Sequence, residues 1–246
     1  MRSVARSAFL LAMFVEAGAE LILKRPATRE LRAEWLHHFC ARSMRRMGIT
    51  VSVHGSFPER GALITNHQSY MDIVTLASLH RCVFVSKAEL ATIPVLGWMT
   101  TMSGAVYVER GRGGSALRAR SGLKAASDAG LPVVFFPEGT TTNGREMLPF
   151  RSGLLAQVMT AEEPVTAGYI RYSMAAKNGA DVSVEENVAW GDLPMVTHIF
   201  TFLGLRGIHV DVSFASAPIR FSSNLLHRKT AAIEARHVVD ALAKSF

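Results

Sequence analysis

The chain has 246 residues, of which 49% are hydrophobic and 19% are charged, and its formal net charge is +7. This length suits one domain with a substantial core, and the composition excludes an intrinsically disordered chain. The two cysteines, Cys40 and Cys82, provide neither a disulfide framework nor a CxxC metal motif, so a reducing compartment is expected.

Most of the positive charge lies in residues 1–47, which contain nine Lys or Arg and four acidic residues. A basic N-terminal segment is typical of proteins that bind nucleic acid or an anionic membrane surface. The first apolar run ends at Val15, before Glu16 and Glu20, and is shorter than the roughly 20 residues that a membrane span needs. A signal peptide cleaved near residues 17–19 is the alternative interpretation.

Residues 31–47 form a second predicted helix, with apolar side chains at helical spacing and a basic opposite face. Together the two segments predict a membrane-associating helical hairpin, residues 1–47, that lies in one leaflet. A surface helix packed on its own domain is the alternative for residues 31–47. No nucleic-acid partner is predicted, because the segment lacks a basic stripe interleaved with aromatic residues.

From residue 48 onward, short apolar runs alternate with helical stretches, which predicts an α/β domain, residues 48–246, with a mixed sheet flanked by helices. The predicted strands are 49–53, 62–65, 83–86, 105–108, 132–136, 165–170, 182–188 and 208–214. The predicted helices are 72–79, 89–102, 115–128, 152–160, 193–203 and 230–246. The apolar run 200–205 is interpreted as core, with an acyl channel or lipid contact as alternatives.

A histidine and an aspartate occur together in the sequence Asn-His-Gln-Ser-Tyr-Met-Asp, residues 66–72, directly after a predicted strand. Such strand ends are where α/β folds place active groups. A carboxylate beside an imidazole fixes its tautomer and stabilises the imidazolium that forms when the ring accepts a proton. The pair meets only if His67 lies in the turn and Asp72 in the first helical turn, because residues five apart in one helix diverge by roughly 140°.

Further polar clusters follow other predicted strands: Phe-Pro-Glu-Gly-Thr at residues 136–140, arginines from Arg110 onward, and Lys87. The sequence has no metal-ligand spacing, no GxSxG elbow and no P-loop, so no metal is predicted. One base with several cations indicates activation of a hydroxyl group on a phosphorylated molecule. His37, His38, His198 and His209 are scattered, and they are expected to be structural or exposed.

These clusters closely resemble the conserved blocks of the glycerolipid acyltransferases, in particular the 1-acyl-glycerol-3-phosphate acyltransferases. The matching segments are NHQSYMD (66–72), KAEL with IPVLG (87–97), YVERG (107–111), FPEGT (136–140) and PVTAGYI (164–170). The resemblance covers roughly residues 60–170. It implies an O-acyltransferase without a cofactor that moves a fatty acyl group from acyl-CoA or acyl carrier protein to the free hydroxyl of a lysophospholipid.

The resemblance also implies roles for individual residues. His67 would be the general base, and Asp72 would orient it. The residues that it assigns to substrate binding are Asn66, Lys87, Arg110, Glu138, Gly139 and Thr140. The implied location is the cytoplasmic face of the inner membrane, with an anionic lipid surface as a partner.

The chain departs from the family pattern at three places. Glu109 replaces a frequent Asp, Thr141 replaces a frequent Arg or Ser after FPEGT, and Thr166-Ala167 is more polar than usual. The product expected from the resemblance is phosphatidic acid. The last two departures leave another acceptor open, such as a lyso-ornithine lipid or lysophosphatidylcholine, and a catalytically idle lipid-binding module is the alternative from a different class.

Overall fold

The computed structural model describes residues 2–92, 96–108, 115–179, 181–191, 193–222 and 227–244. The described strands are β1 Thr50–His54, β2 Ala62–Ile64, β3 Val83–Lys87, β4 Val106–Val108, β5 Val133–Phe135, β6 Val165–Met174 and β7 Ile208–Phe214. The described α-helices are α1 Arg2–Lys24, α2 Arg29–Met47, α3 Met71–Leu79, α4 Leu96–Met102, α5 Ser115–Asp128, α6 Ser152–Thr160, α7 Val184–Asn187, α8 Met195–Gly204 and α9 Arg228–Ala243. Short 3₁₀ helices occupy Ala88–Thr92 and Ala176–Asn178.

The strands form one mixed sheet in the order β1-β7-β6-β2-β5-β3-β4. Neighbouring strands are parallel except for β6 and β7, which are antiparallel. Ile64 on β2 is in register with Phe135 on β5 and with Ala167 on β6. The carboxyl ends of β2 and β5 therefore lie side by side, while β6 continues past them to Met174, and this sheet edge carries the two principal motifs.

Two apolar layers cover opposite faces of the sheet, as the alternation of side chains along a buried strand requires. Leu63 and Val134 face α2 and α3, whereas Ile64 and Val133 face α5, α6 and α9. The predicted mixed α/β fold is confirmed.

One predicted strand, 182–188, is wrong, because the segment forms the short helix α7. Ser183 caps this helix by accepting a hydrogen bond from the backbone N–H of Glu186 at 3.2 Å. The side chain of Asn187 accepts one from the backbone N–H of Ser183 at 3.0 Å. The capping sequence Ser-x-x-Glu was readable in the chain, and it outweighs the alternation of valines that favoured a strand.

Helix α2 buries the apolar face that was expected to lie on lipid. Trp35 is 5% exposed and stacks on Phe39 at a ring separation of 5.5 Å. Phe39, Cys40 and Met44 join the same core as the sheet. Most of the apolar side chains of α2 are therefore covered by the protein, with Leu31, 49% exposed, as an exception, and this burial favours the alternative of a helix packed on its own domain.

Helix α1 buries Met13, Ala17 and Leu21, and its two glutamates bond to side chains of α2. Glu20 accepts hydrogen bonds from the indole N–H of Trp35 at 3.1 Å and from Arg42 at 2.8 Å, and Glu16 pairs with Arg46. None of the described helices is both long and apolar enough to cross a bilayer. The hairpin is present, and the predicted domain boundary after residue 47 stays a prediction.

Candidate active site

The turn at residues 66–72 places the predicted histidine and aspartate in direct contact. Nδ1 of His67 lies 2.8 Å from Oδ2 of Asp72, which is fully buried at the start of α3. The carboxylate can only accept, so Nδ1 carries the proton and Nε2 keeps its lone pair. The His67 side chain is 14% exposed. The geometric expectation for this pair is confirmed, and its consequence is that Nε2 is the ring nitrogen left to face a substrate.

Asp72 is held by donors on both of its oxygens. Oδ2 also accepts from the backbone N–H groups of Gln68, at 2.7 Å, and Ser69, at 2.9 Å. Oδ1 accepts from the buried hydroxyl of Tyr172 at 2.7 Å. Burial raises the pKa of Tyr172 well above its ordinary value, with the nearby Asp72 charge adding to the effect, so the hydroxyl stays a donor. These donors fix the carboxylate in one orientation.

The contribution of Tyr172 was missed from the sequence. It lies on β6, 100 residues from Asp72 along the chain. Only the extension of β6 beyond the ends of β2 and β5 brings it to the turn. The available signal was that the last matching segment, PVTAGYI, ends at Ile170, so that Tyr172 is the next side chain on the same face of that strand.

The main chain of the turn is fixed by segments that follow other strands. The backbone N–H of His67 donates to Oε1 of Glu138 at 2.7 Å, and its carbonyl accepts from the N–H of Thr142 at 3.0 Å. The carbonyl of Gln68 accepts from the N–H of Trp190 at 2.7 Å. The imidazole of His67 stacks on Phe136 with a ring separation of 3.8 Å and an angle of 10°. The turn and the FPEGT segment therefore form one site.

Glu138 uses both carboxylate oxygens inside the protein. Oε1 binds the N–H of His67, and Oε2 accepts from the N–H of Leu148 at 2.7 Å. Burial raises the pKa of Glu138 to about 7, and these two backbone N–H groups only partly oppose the shift. Gly139, which follows Glu138, has a left-handed backbone with φ of 74°, a conformation that favours glycine. Glu138 thus links the backbone of the 66–72 turn to the backbone at Leu148.

Asn66 is occupied in a similar way. Its side-chain amide donates to the carbonyl of Ile170 at 2.9 Å and accepts from the N–H of Ile170 at 2.8 Å. It is 3% exposed. The side-chain amide of Asn66 therefore makes the pair of hydrogen bonds that a neighbouring strand's backbone would make, and it continues the hydrogen bonding between β2 and β6 into the turn. The substrate role that the resemblance assigned to Asn66 stays a prediction, and the structure gives it this anchoring role.

Residues 48–171 match the family model described as Acyltransferase. The chain belongs to the acyltransferase family. It is 34% identical to the lyso-ornithine lipid O-acyltransferase of Pseudomonas aeruginosa, over 76% of this chain and 70% of that protein. It is also 34% identical to the lyso-ornithine lipid O-acyltransferase of Rhodobacter capsulatus, over 65% of this chain and 58% of that protein.

A second group of relatives is named for a different acceptor. The chain is 27% identical to the 1-acyl-sn-glycerol-3-phosphate acyltransferase of Neisseria gonorrhoeae, over 63% of this chain and 59% of that protein. The crystal structure of the 1-acyl-sn-glycerophosphate acyltransferase PlsC from Thermotoga maritima superposes with a TM-score of 0.63 at 22% identity, covering 98% of both chains. This similarity shows the shared fold.

Two of the predicted substrate-binding cations lie outside the described part of the chain. Arg110 falls in residues 109–114, and Lys87 ends β3 but its side chain is not described. Two arginines that the sequence reasoning missed border the FPEGT segment instead. Nε of Arg151 donates to the carbonyl of Glu138 at 3.2 Å, and Arg236 on α9 donates to the carbonyl of Met147 at 2.7 Å. The binding roles of Lys87, Arg110, Gly139 and Thr140 stay predictions.

Neither cysteine suits nucleophilic catalysis. Cys40 and Cys82 are both buried, and burial raises the pKa of Cys40 to about 12 and that of Cys82 well above its ordinary value. A thiol that is protonated at neutral pH is a poor nucleophile. Neither thiol is therefore a candidate nucleophile, and the role of His67 as general base stays a prediction.

Proposed function

We propose that this chain transfers a fatty acyl group from an acyl thioester, acyl-CoA or acyl carrier protein, to the free hydroxyl of a lysolipid. The observation that carries the proposal is the His67–Asp72 pair, held in a turn whose main chain is bound on several sides. Such rigid placement is what proton transfer in a transition state requires. The family membership supports acyl transfer as the reaction.

In the proposed step, Nε2 of His67 takes the proton of the lysolipid hydroxyl while its oxygen attacks the thioester carbonyl. The tetrahedral intermediate then expels the thiolate, which receives the proton from the imidazolium, and the ester and free thiol leave. Asp72 stabilises the imidazolium between these two steps. The reaction needs no acyl-enzyme, in keeping with the buried, protonated thiols of the two cysteines.

The acceptor that we propose first is a lyso-ornithine lipid, with 1-acyl-glycerol-3-phosphate as the second candidate. The relatives named for lyso-ornithine lipid are up to 34% identical over as much as 76% of this chain, whereas those named for 1-acyl-glycerol-3-phosphate align over less of it, at 27% identity over 63% or 35% over 42%. In addition, Thr141 stands where the family resemblance leads to the expectation of an arginine or a serine after FPEGT. One cation fewer beside FPEGT weakens binding of a phosphate monoester.

The acceptor assignment is tested with purified protein, both lysolipids and both thioester donors, with mass spectrometry of the products. We expect the lyso-ornithine lipid to be acylated with the higher kcat/KM. A higher value for 1-acyl-glycerol-3-phosphate would reverse the order of acceptors and leave acyl transfer intact. If no combination of lysolipid and donor gives a product, the proposed function is contradicted and a non-catalytic lipid-binding module is favoured.

The proposed location is the cytoplasmic face of the inner membrane, and α1 supports contact with lipid. Apart from Lys24 in its last turn, the exposed residues of α1 are all apolar: Val4, Ala5, Ala8, Phe9, Leu11, Ala12, Val15, Ala19, Ile22 and Leu23. The cations Arg2 and Lys24 lie at its two ends. An apolar face with flanking cations is typical of helices that lie in the interface of an anionic bilayer.

A further inference from the structure

Helix α8 packs directly beside α1. The guanidinium of Arg6 on α1 donates to the carbonyls of Leu203, at 3.4 Å, and Leu205, at 3.0 Å, where α8 ends. A Cβ added to Gly204 would lie 2.8 Å from the hydroxyl of Ser3. The carboxyl end of α8 and the amino end of α1 are therefore in close contact, so the two helices share one side of the protein.

The two faces of α8 differ sharply in burial. His198 is 1% exposed, whereas Val196 is 81% and Phe200 is 48% exposed. Val196 and Phe200 are four residues apart and so share one face, and each lies two residues, or about 200°, from His198. The run 200–205, which was predicted to be core, is only partly buried: Phe202 and Leu203 are buried, whereas Phe200 is exposed. The outer face thus presents large apolar side chains to solvent.

The inner face of α8 contacts the catalytic turn. Nε2 of His198 lies 2.8 Å from the carbonyl of Ala189, which only accepts, so Nε2 carries the proton and Nδ1 accepts from the hydroxyl of Tyr70 at 3.2 Å. Tyr70 belongs to the 66–72 turn and also packs edge-on against Trp190 and Phe202. One helix diameter, about 10 Å, therefore separates the exposed face of α8 from the turn that carries His67.

We propose that α8 is a second lipid-contacting helix, whose outer face, Val196 and Phe200, enters the same leaflet as the apolar face of α1. The partner that we propose for this face is an anionic bilayer. Helix α8 contains no Lys, Arg, Asp or Glu, so its outer face extends the apolar outer face of α1. The cations at the ends of α1 complement anionic headgroups. This inference rests on the proposed membrane location and extends it to the helix that holds the catalytic turn.

The arrangement has a consequence for the acceptor. A bilayer that covers both helices ends about one helix diameter from Tyr70, so a lysolipid reaches the turn while its chain stays in the leaflet. The basic helix α2 has no part in this surface, because its apolar face is buried and two of its arginines, Arg42 and Arg46, pair with α1. Docking through α1 and α8 therefore presents the catalytic turn to lipid.

The test compares the wild-type protein with the double variant V196S/F200S in flotation with vesicles of phosphatidylethanolamine and phosphatidylglycerol. Withdrawal of two apolar side chains from lipid is expected to lower the partition coefficient at least about tenfold. The matched control is Ile233→Ser, since Ile233 on α9 is 56% exposed and lies on neither helix. This control is expected to float as the wild type does.

Two further measurements separate the possible failures. Acylation of a short-chain lysolipid that stays monomeric is expected to be unchanged in V196S/F200S, which shows that the site is intact. Equal flotation of the double variant and the wild type would overturn the proposal. A second result would also overturn it. If light scattering shows that the wild type is a dimer and V196S/F200S a monomer, while neither protein floats, then a second copy of the chain covers this face. If no protein acylates the monomeric lysolipid, the proposed function fails and the flotation result still decides the docking proposal.

Discussion

The turn at residues 66–72 and helix α1 depart from the usual distribution of polar and apolar side chains in opposite ways. The turn carries Asn66, Ser69 and Asp72 into the interior, each of them at most 3% exposed. Helix α1 exposes Leu11, Val15 and Leu23, which are 65%, 66% and 82% accessible to solvent. A buried polar group and an exposed apolar group both cost free energy unless another group compensates for them.

The two regions find that compensation in different places. For Asp72 and Asn66 it comes from within the protein, since Tyr172 binds the carboxylate and the backbone of Ile170 binds the amide, whereas the buried hydroxyl of Ser69 has no hydrogen-bond partner in the described part of the chain. For α1, the described part of the protein provides no cover for the outer face, and the proposed bilayer would supply it. The turn therefore has a geometry fixed by internal contacts, whereas the exposed face of α1 suits the proposed association with lipid.

The largest expected effect is on the chemistry of the turn. His67→Ala should lower kcat by about 10²–10⁴-fold, because the base is lost while the fold keeps its other contacts. Steady-state assays with a saturating thioester donor, alongside circular dichroism, measure this. His38→Ala, at an exposed position on α2, is the matched control and should retain activity. Retained turnover in the His67 variant would contradict base catalysis by this residue.

The second effect concerns α1 and leaves the turn untouched. The double variant L11S/V15S should lower vesicle partitioning by about 100-fold, since it removes two large side chains from the lipid-contacting face. Its midpoint of urea unfolding should match that of the wild type, because both residues are exposed in the absence of lipid. A large loss of stability with unchanged flotation would show that this face packs within the protein.

A smaller effect is expected where the carboxylate is held. Tyr172→Phe removes one donor from Asp72 and leaves the three on its other oxygen, so kcat should fall about tenfold with KM unchanged. Tyr169→Phe, on the opposite face of the same strand, is the control for a lost hydroxyl and should change kcat less. If both variants behaved alike, Tyr172 would have no specific role in positioning Asp72.

The smallest effect is the dependence of stability on pH through Glu138. Its pKa is about 7 in the folded protein against 4.5 for an unperturbed glutamate, so between these values the folded state binds the proton that the unfolded state has lost. The free energy of unfolding should therefore decrease, by about 1–3 kcal/mol, as the pH rises through this window. Urea unfolding across the window measures the slope, and Glu138→Gln should flatten it. A free energy of unfolding that increases with pH in the same window would contradict a Glu138 carboxylate that burial destabilises.

Several features of the site were correctly predicted from sequence because they depend on local order along the chain. A strand, a turn and a helix start follow one another at residues 62–72, so His67 and Asp72 meet within a few residues. The FPEGT segment follows a parallel neighbour, so it reaches the same sheet edge. The resemblance drew attention to Glu138 and Asn66, but their partners are backbone groups of distant segments, and no spacing in the sequence specifies those.

The sequence by itself determined the mixed α/β class, most strands and helices, and the contact between the imidazole and its carboxylate. The tertiary structure alone decided which apolar faces are covered: both N-terminal helices were expected to lie on the membrane, yet α2 packs most of its apolar side chains in the core, whereas α1 exposes apolar residues such as Leu11 and Val15. It also decided that Tyr172 and His198 support the turn. The physical reason is that periodicity reports which side chains share a face, whereas burial depends on what the rest of the chain packs against that face.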